Sequence, residues 1–99
     1  MPQGPFQVVS LGSANKSALN ITANTVVKPT AGFVVRISVS VAGSAAGTLH
    51  NASTVSAAVT ANVIAAIPDT VGTYAIEFPA SSGIVVKPGS GQTIAISYN

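Results

Sequence analysis

Three side chains could act as an acid, a base or a metal ligand: His50, Asp69 and Glu77. Hydrolysis by paired carboxylates needs both carboxyl groups within several ångströms of each other. Asp69 lies in a segment flanked by Pro68 and Gly72, where an Asp side chain commonly closes a turn. Glu77 lies on the polar side of an alternating segment. We therefore expect no catalytic carboxylate pair.

His50 is the only histidine, and the chain has no cysteine. A zinc site needs three or four ligands, which one histidine and two scattered carboxylates do not supply. A Ser-His-Asp triad is formally possible, yet no serine lies in a Gly-x-Ser-x-Gly elbow. We predict that His50 is a polar residue of a loop or strand edge. The expectation is a protein that is not an enzyme, with no catalytic residue, cofactor site or metal ligand.

Charged residues make up only 6% of the chain, against about 25% in typical soluble domains. Apolar residues reach 47%, but aromatic residues only 5%. The mean hydropathy of +0.56 argues against disorder, which goes with low hydrophobicity. A free monomer usually displays mixed charge to stay soluble. We therefore predict a neutral surface of small side chains that other subunits cover.

The net charge of +2 and the pI near 9.4 do not indicate a nucleic-acid partner. Phosphate binding needs clustered cations, and here Lys16, Lys28, Arg36 and Lys87 are dispersed. No apolar run approaches 18 residues, so no spanning helix and no membrane partner are expected. The first residues lack the basic and apolar regions of a secretory signal.

Three segments alternate apolar and polar residues with the period of a half-buried strand. These are residues 33–41, 73–78 and 93–98. The pattern predicts that their inward side chains are Phe33, Val35, Ile37, Val39, Val41, Tyr74, Ile76, Phe78, Ile94, Ile96 and Tyr98. Val34 and Arg36 are predicted to face outward. Shorter strands are predicted within residues 6–11, 19–27, 47–50 and 83–86. Pro or Gly recurs every eight to twelve residues, which is typical of a sandwich or barrel.

Residues 52–67 are ambiguous, because their alanines favour a helix while their β-branched residues favour strands. We predict a loop through Thr60 and then a strand over residues 62–67. The whole chain, residues 1–99, is interpreted as one domain. Residues 1–7 are predicted to form an extended arm or a disordered tail.

One internal repeat aligns residues 26–38 with residues 85–97 at a constant offset of 59. Both copies read Val-Val-Lys-Pro-x-x-Gly, followed by an alternating strand. Pro ends the incoming strand because it cannot donate to a ladder, and Gly permits positive φ. We predict two equivalent hairpin-like corners in a pseudo-symmetric fold such as a jelly roll. Unrelated Pro and Gly turns are the alternative.

Residues 43–49, 61–74 and 83–98 resemble small virion proteins of tailed bacteriophages, most of all the capsid decoration, or cement, proteins. The resemblance implies a jelly-roll sandwich on the outside of an icosahedral head, assembled in the host cytoplasm. It further implies a homodimer or homotrimer that bridges major capsid subunits. That family has no catalytic motif, so no functional residue is carried over.

The prediction is thus an all-β, jelly-roll-like sandwich of about eight short antiparallel strands that cements a phage capsid as a homo-oligomer. The candidate contact elements are the arm, residues 1–7, and a loop, residues 43–60. The first alternative is a tail or fibre-associated module that recognises a host surface glycan through exposed aromatic rings. An enzyme of unknown type and a bacterial adhesin, which would need an export signal, are the others.

Overall fold

The computed structural model describes residues 14–99, which form eight β-strands and one short 3-10 helix. The strands are β1 (Lys16–Ile21), β2 (Thr25–Lys28), β3 (Gly32–Val41), β4 (Gly47–Asn51), β5 (Val63–Ile67), β6 (Gly72–Ala80), β7 (Ile84–Lys87) and β8 (Thr93–Tyr98). The 3-10 helix, Thr60–Asn62, immediately precedes β5. The strand prediction for residues 6–11 and the predicted arm, residues 1–7, lie outside the described residues.

The eight strands form two antiparallel sheets of four. Sheet A has the order β1-β8-β3-β6, and sheet B has the order β2-β7-β4-β5. The first strand pairs with the eighth, the second with the seventh, the third with the sixth and the fourth with the fifth. This nested pairing is the topology of a double-sheet jelly roll. The prediction of an all-β, jelly-roll-like sandwich of about eight strands is confirmed.

Between the sheets lies a core of aliphatic side chains, none of them aromatic. Val, Ile and Thr suit strands because their branched side chains pack on a pleated surface. Each fully buried aliphatic side chain stabilises the fold by about 1.5–3 kcal/mol before the entropic cost is counted. Tyr74 and Tyr98 pack against its margin. The buried members are Ile21, Val34, Ile37, Val39, Leu49, Ile67, Ala80, Ile84, Val86, Ile94 and Ile96.

The internal repeat is structural. Val26 lies directly opposite Val85 in sheet B, and Ile37 lies directly opposite Ile96 in sheet A. Each pair joins residues that are 59 positions apart, so one local two-fold axis passes through both sheets. The corners join different sheets, since β2 and β7 belong to sheet B while β3 and β8 belong to sheet A. The prediction of equivalent corners is confirmed, but their description as hairpins is wrong.

The glycines of the two corners have different roles. Gly91 has φ of +77°, which favours glycine, and nothing would contact a Cβ there. Gly32 is not among the positive-φ residues. A Cβ at Gly32 would lie 2.6 Å from the carbonyl oxygen of Asn99. The predicted positive φ is therefore right for Gly91 and wrong for Gly32, where close packing of the backbone requires glycine.

Three predicted side-chain orientations are wrong because bulges shift the alternation. In β3 the register slips between Val34 and Arg36 and again between Val39 and Val41. Val34, predicted outward, is fully buried, while Val41, predicted inward, is 50% exposed. In β6 the backbone of Glu77 has φ of +54°, and the Phe78 ring that follows is 48% exposed. A bulge adds one residue and so changes the face of those beyond it.

Residues 52–67 form a loop followed by a strand, as predicted, with β5 at Val63–Ile67. The loop that joins β4 to β5 is the one connection that stays within a single sheet. Residues 43–60 are not one continuous loop, because β4 occupies Gly47–Asn51 in their middle. The contact element predicted there is thus two loops at opposite ends of the sandwich.

Candidate interaction surfaces

The structure does not bring the chemically versatile residues together. Asp69 lies in the loop that precedes β6. Glu77 lies five residues beyond the start of β6, about 17 Å farther along the strand, so the two carboxylates are far apart. His50 belongs to the other sheet. Within residues 14–99, no three His, Cys, Asp or Glu residues form a group that could hold a metal ion. No helix in the same part of the chain has the length and apolarity to span a membrane.

The prediction that His50 is a loop or strand-edge residue is wrong. Its side chain is 3% exposed, and it belongs to β4, an interior strand of sheet B. Asn62 Oδ1 accepts a hydrogen bond from the Val59 amide, so it also accepts one from His50 Nδ1, at 2.9 Å. In the neutral imidazole, His50 Nε2 then accepts from the Thr48 hydroxyl at 2.8 Å. Each ring nitrogen has a partner, which is a structural use of the imidazole.

The partners of His50 Nδ1, Val59 and Asn62, belong to the β4–β5 loop, residues 52–62, which folds back over the outer side of sheet B. Ala52 and Ala58 pack with Val85 in a second apolar cluster, outside the main core. The Lys87 ammonium group donates to the Ala58 carbonyl at 2.6 Å. Val85 is fully buried although it points away from the core between the sheets. The loop therefore covers this face with the chain's own residues.

The outer side of sheet A has no such cover within residues 14–99. We call it the sheet-A face, and it contains a shallow recess of about 140 Å³. Arg36 and Leu19 lie on different strands of this face, and Leu19 is 72% exposed. The residues that line the recess are Ser17, Leu19, Arg36, Ser38, Ala95, Ile96 and Ser97. Small side chains thus form its floor, and Arg36 is its one charged residue.

The edges of the two sheets are poorly suited to strand addition. The four edge strands are β1 and β6 in sheet A and β2 and β5 in sheet B. The pairing of each with its neighbour contains a register shift. Bulges twist an edge away from a flat approach and discourage pairing with another chain. Contacts with other molecules are therefore more favourable on faces and ends.

Three loops meet at one end of the sandwich, which we call the tip: residues 42–46, 68–71 and 88–92. Gln92 is 1% exposed and holds two of them together. Its side chain accepts from the Gly89 amide at 2.9 Å and donates to the Pro68 carbonyl at 2.6 Å. The Ser44 amide donates to the Ser90 carbonyl at 2.9 Å. The tip is therefore a fixed surface.

Large apolar side chains are exposed at both surfaces. Leu19 lies on the sheet-A face, while Val71 at the tip is 58% exposed. Sequence reasoning did not single out these two residues or Gln92. Leu19 gave no local signal, because alternation places it on the same face as Ile21, and only the irregularity at Asn20, with φ of +56°, turns it outward. The signal for Val71 was the turn that contains Pro68 and Asp69. Gln92 gave no local signal, because its partners are distant in sequence.

Comparison with known proteins gives no relative from which a function could be transferred. No protein-family model matches the chain, and no curated protein or solved structure matches it.

Proposed function

We propose that this chain is a structural virion protein that decorates a bacteriophage capsid. It acts as a homo-oligomer on the outer capsid surface and stabilises the head by bridging major capsid subunits. One observation carries the proposal: exposed apolar side chains stand on two separate, fixed surfaces of a nearly uncharged sandwich. The exposed side chain of Leu19 lies on the sheet-A face, and that of Val71 lies at the tip. A bridging protein needs at least two contact surfaces.

The composition of the sheet-A face suits burial against another protein. Ser and Ala side chains lose little rotamer entropy when they are immobilised. Covering a face with few charges avoids the cost of desolvating ions. Each buried apolar area contributes about 25 cal/mol per Å², reduced by the cost of association. Repetition over a capsid lattice then makes weak single contacts collectively strong.

The proposal is tested by adding the purified protein to empty heads of the phage that carries this gene. We expect saturable binding at a fixed ratio to the major capsid protein and a higher temperature of head rupture. Leu19→Asp should weaken binding at least about 10-fold, because it places a charge on a contact surface. Ser82→Asp, the same charge on an exposed residue at the end opposite the tip and outside the predicted contact elements, serves as the matched control.

Failure to bind heads, with no change in their heat resistance, would contradict the proposed function. Equal weakening by Leu19→Asp and Ser82→Asp would show that the sheet-A face is not a contact surface. Folding of each variant is checked by its thermal unfolding curve before binding is measured.

A tail or fibre-associated module that binds a host surface glycan is the second candidate. The observation that favours this candidate is the exposed ring of Phe78. This side chain is 48% exposed and follows Glu77 in the edge strand β6. An exposed ring beside a carboxylate can stack on a sugar and accept its hydroxyl groups. Binding to a glycan array that Phe78→Ala abolishes, without affinity for empty heads, would favour this candidate.

A further inference from the structure

We infer that copies of this chain associate tip to face: the β5–β6 loop of one copy docks into the recess on the sheet-A face of the next. Asp69 then meets Arg36 of the neighbouring copy, and Val71 packs against its Leu19. The inference deepens the proposed function, because it rests on the homo-oligomer and specifies which surfaces form it.

The β5–β6 loop is a preformed projection. Three successive carbonyl groups anchor its backbone: Pro68 accepts from Gln92, Asp69 from the Gly43 amide and Thr70 from the Tyr74 hydroxyl. The side chains of residues 68–71 are all exposed. The backbone is thus fixed while the side chains are available. A loop already held in its binding conformation loses little entropy when it docks.

The recess is wide enough to receive the loop. The strands that carry Leu19 and Arg36 are separated by β8, and the two residues are also offset by about two positions along the strands, so they lie roughly 11–12 Å apart. Asp69 and Val71 are two residues apart, which is at most about 6–7 Å. The length of the Arg36 side chain makes up the difference. The recess volume of about 140 Å³ can take one aliphatic side chain of this size.

The charges of the two surfaces are complementary. Asp69 is the one charged residue of the three tip loops, and Arg36 is the one charged residue that lines the recess. A guanidinium group pairs with a carboxylate through two parallel hydrogen bonds. Arg36 has an interaction within its own chain, but its five N–H donors allow a further contact.

The occupant of the recess is a second copy of the chain, because the charges of tip and recess complement each other. Two copies can exchange this contact reciprocally in a two-fold dimer, in which Asp69 of each copy meets Arg36 of the other. A contact made in one direction instead generates closed rings or open filaments.

The first measurement is multi-angle light scattering of the full chain over a range of concentrations. We expect an oligomer that dissociates on dilution. Arg36→Glu and Asp69→Arg should each weaken association at least about 10-fold, since like charges then face each other. The double variant should recover association. An equimolar mixture of the two single variants should recover it as well, because each loop then finds a recess of opposite charge.

Lys16→Glu and Glu77→Arg are matched controls, because they make the same charge changes outside the tip and the recess. Neither should alter the oligomer. If Arg36→Glu does not fold, Arg36→Gln takes its place, both alone and in the mixture with Asp69→Arg.

A strict monomer at all concentrations would overturn the inference. Single variants that stay associated, or a mixture of the two single variants that stays dissociated, would overturn it as well. A monomer that still binds phage heads would leave the proposed function intact.

Discussion

The outer faces of the two sheets differ in what covers them. In sheet B, Val85 lies between Val26 and His50 on the outer side, and the β4–β5 loop buries it completely. In sheet A, no segment of residues 14–99 covers the outer side, and Leu19 is 72% exposed. The two faces come from strands with the same alternating chemistry. Among the described residues, one face is thus covered by the chain itself and the other is not.

The pseudo-symmetry makes this difference informative. Val26 and Val85 occupy equivalent positions of the repeat and lie opposite each other, yet Val26 is 36% exposed and Val85 is fully buried. Val85 has a neighbouring strand on each side and lies under the β4–β5 loop, whereas Val26 belongs to the edge strand β2. The neighbouring strand and the covering loop together account for the difference. The four predictions below test the contrast between the two faces, in order of expected effect.

The largest effect is expected from Asn62→Ala. Asn62 accepts from Val59 and His50 and donates to Ala57, so its loss removes three contacts that hold the loop on sheet B. We expect a loss of about 2–3 kcal/mol in the free energy of unfolding, measured by urea titration. Asn24→Ala, in the exposed turn between β1 and β2, is the control and should change stability by less than about 0.5 kcal/mol. Equal effects would mean that the loop does not stabilise the face.

Val85→Ala is expected to have the next largest effect. It leaves a cavity between sheet B and the loop and should cost about 2 kcal/mol. Val26→Ala, the same substitution at the equivalent residue, should cost less than about 1 kcal/mol because its side chain is already partly solvated. Urea titration of both variants gives the comparison. The same cost at both positions would remove the distinction drawn from the repeat.

A smaller effect is expected from Thr48→Val. The substitution keeps the shape of the side chain but removes the hydroxyl that donates to His50 Nε2. An unpaired buried acceptor should lower the free energy of unfolding by about 1 kcal/mol. Thr93→Val on β8 is the matched control in sheet A, with an expected change within about 0.5 kcal/mol. A larger loss at Thr93 than at Thr48 would contradict the contrast.

The smallest effect on stability is expected from Leu19→Ser. Its side chain is mostly solvated, so the free energy of unfolding of the dissociated chain should change by less than about 0.5 kcal/mol. The same variant should weaken self-association severalfold in light scattering, because Leu19 contributes apolar area at the recess. A stability loss above 1 kcal/mol would assign Leu19 a role within its own sandwich.

Much of the fold could be predicted from local pattern. The alternation in residues 33–41, 73–78 and 93–98 predicts β3, β6 and β8, and the offset of 59 predicts two equivalent corners. The orientation of Val34, Val41 and Phe78 could not be predicted, because a bulge depends on hydrogen bonding with a neighbouring strand. Neither could the recess, since its residues come from β1, β3 and β8, which are distant in sequence.

The sequence alone determined a small all-β domain with few charges, because strand periodicity and composition are properties of the chain itself. Only the tertiary structure decided which outer face residues 14–99 cover. That outcome depends on where the β4–β5 loop lies, and His50, Asn62 and Val85 fix the loop through contacts over 12 to 33 residues of sequence. A pattern with a period of two residues carries no information about contacts at that separation.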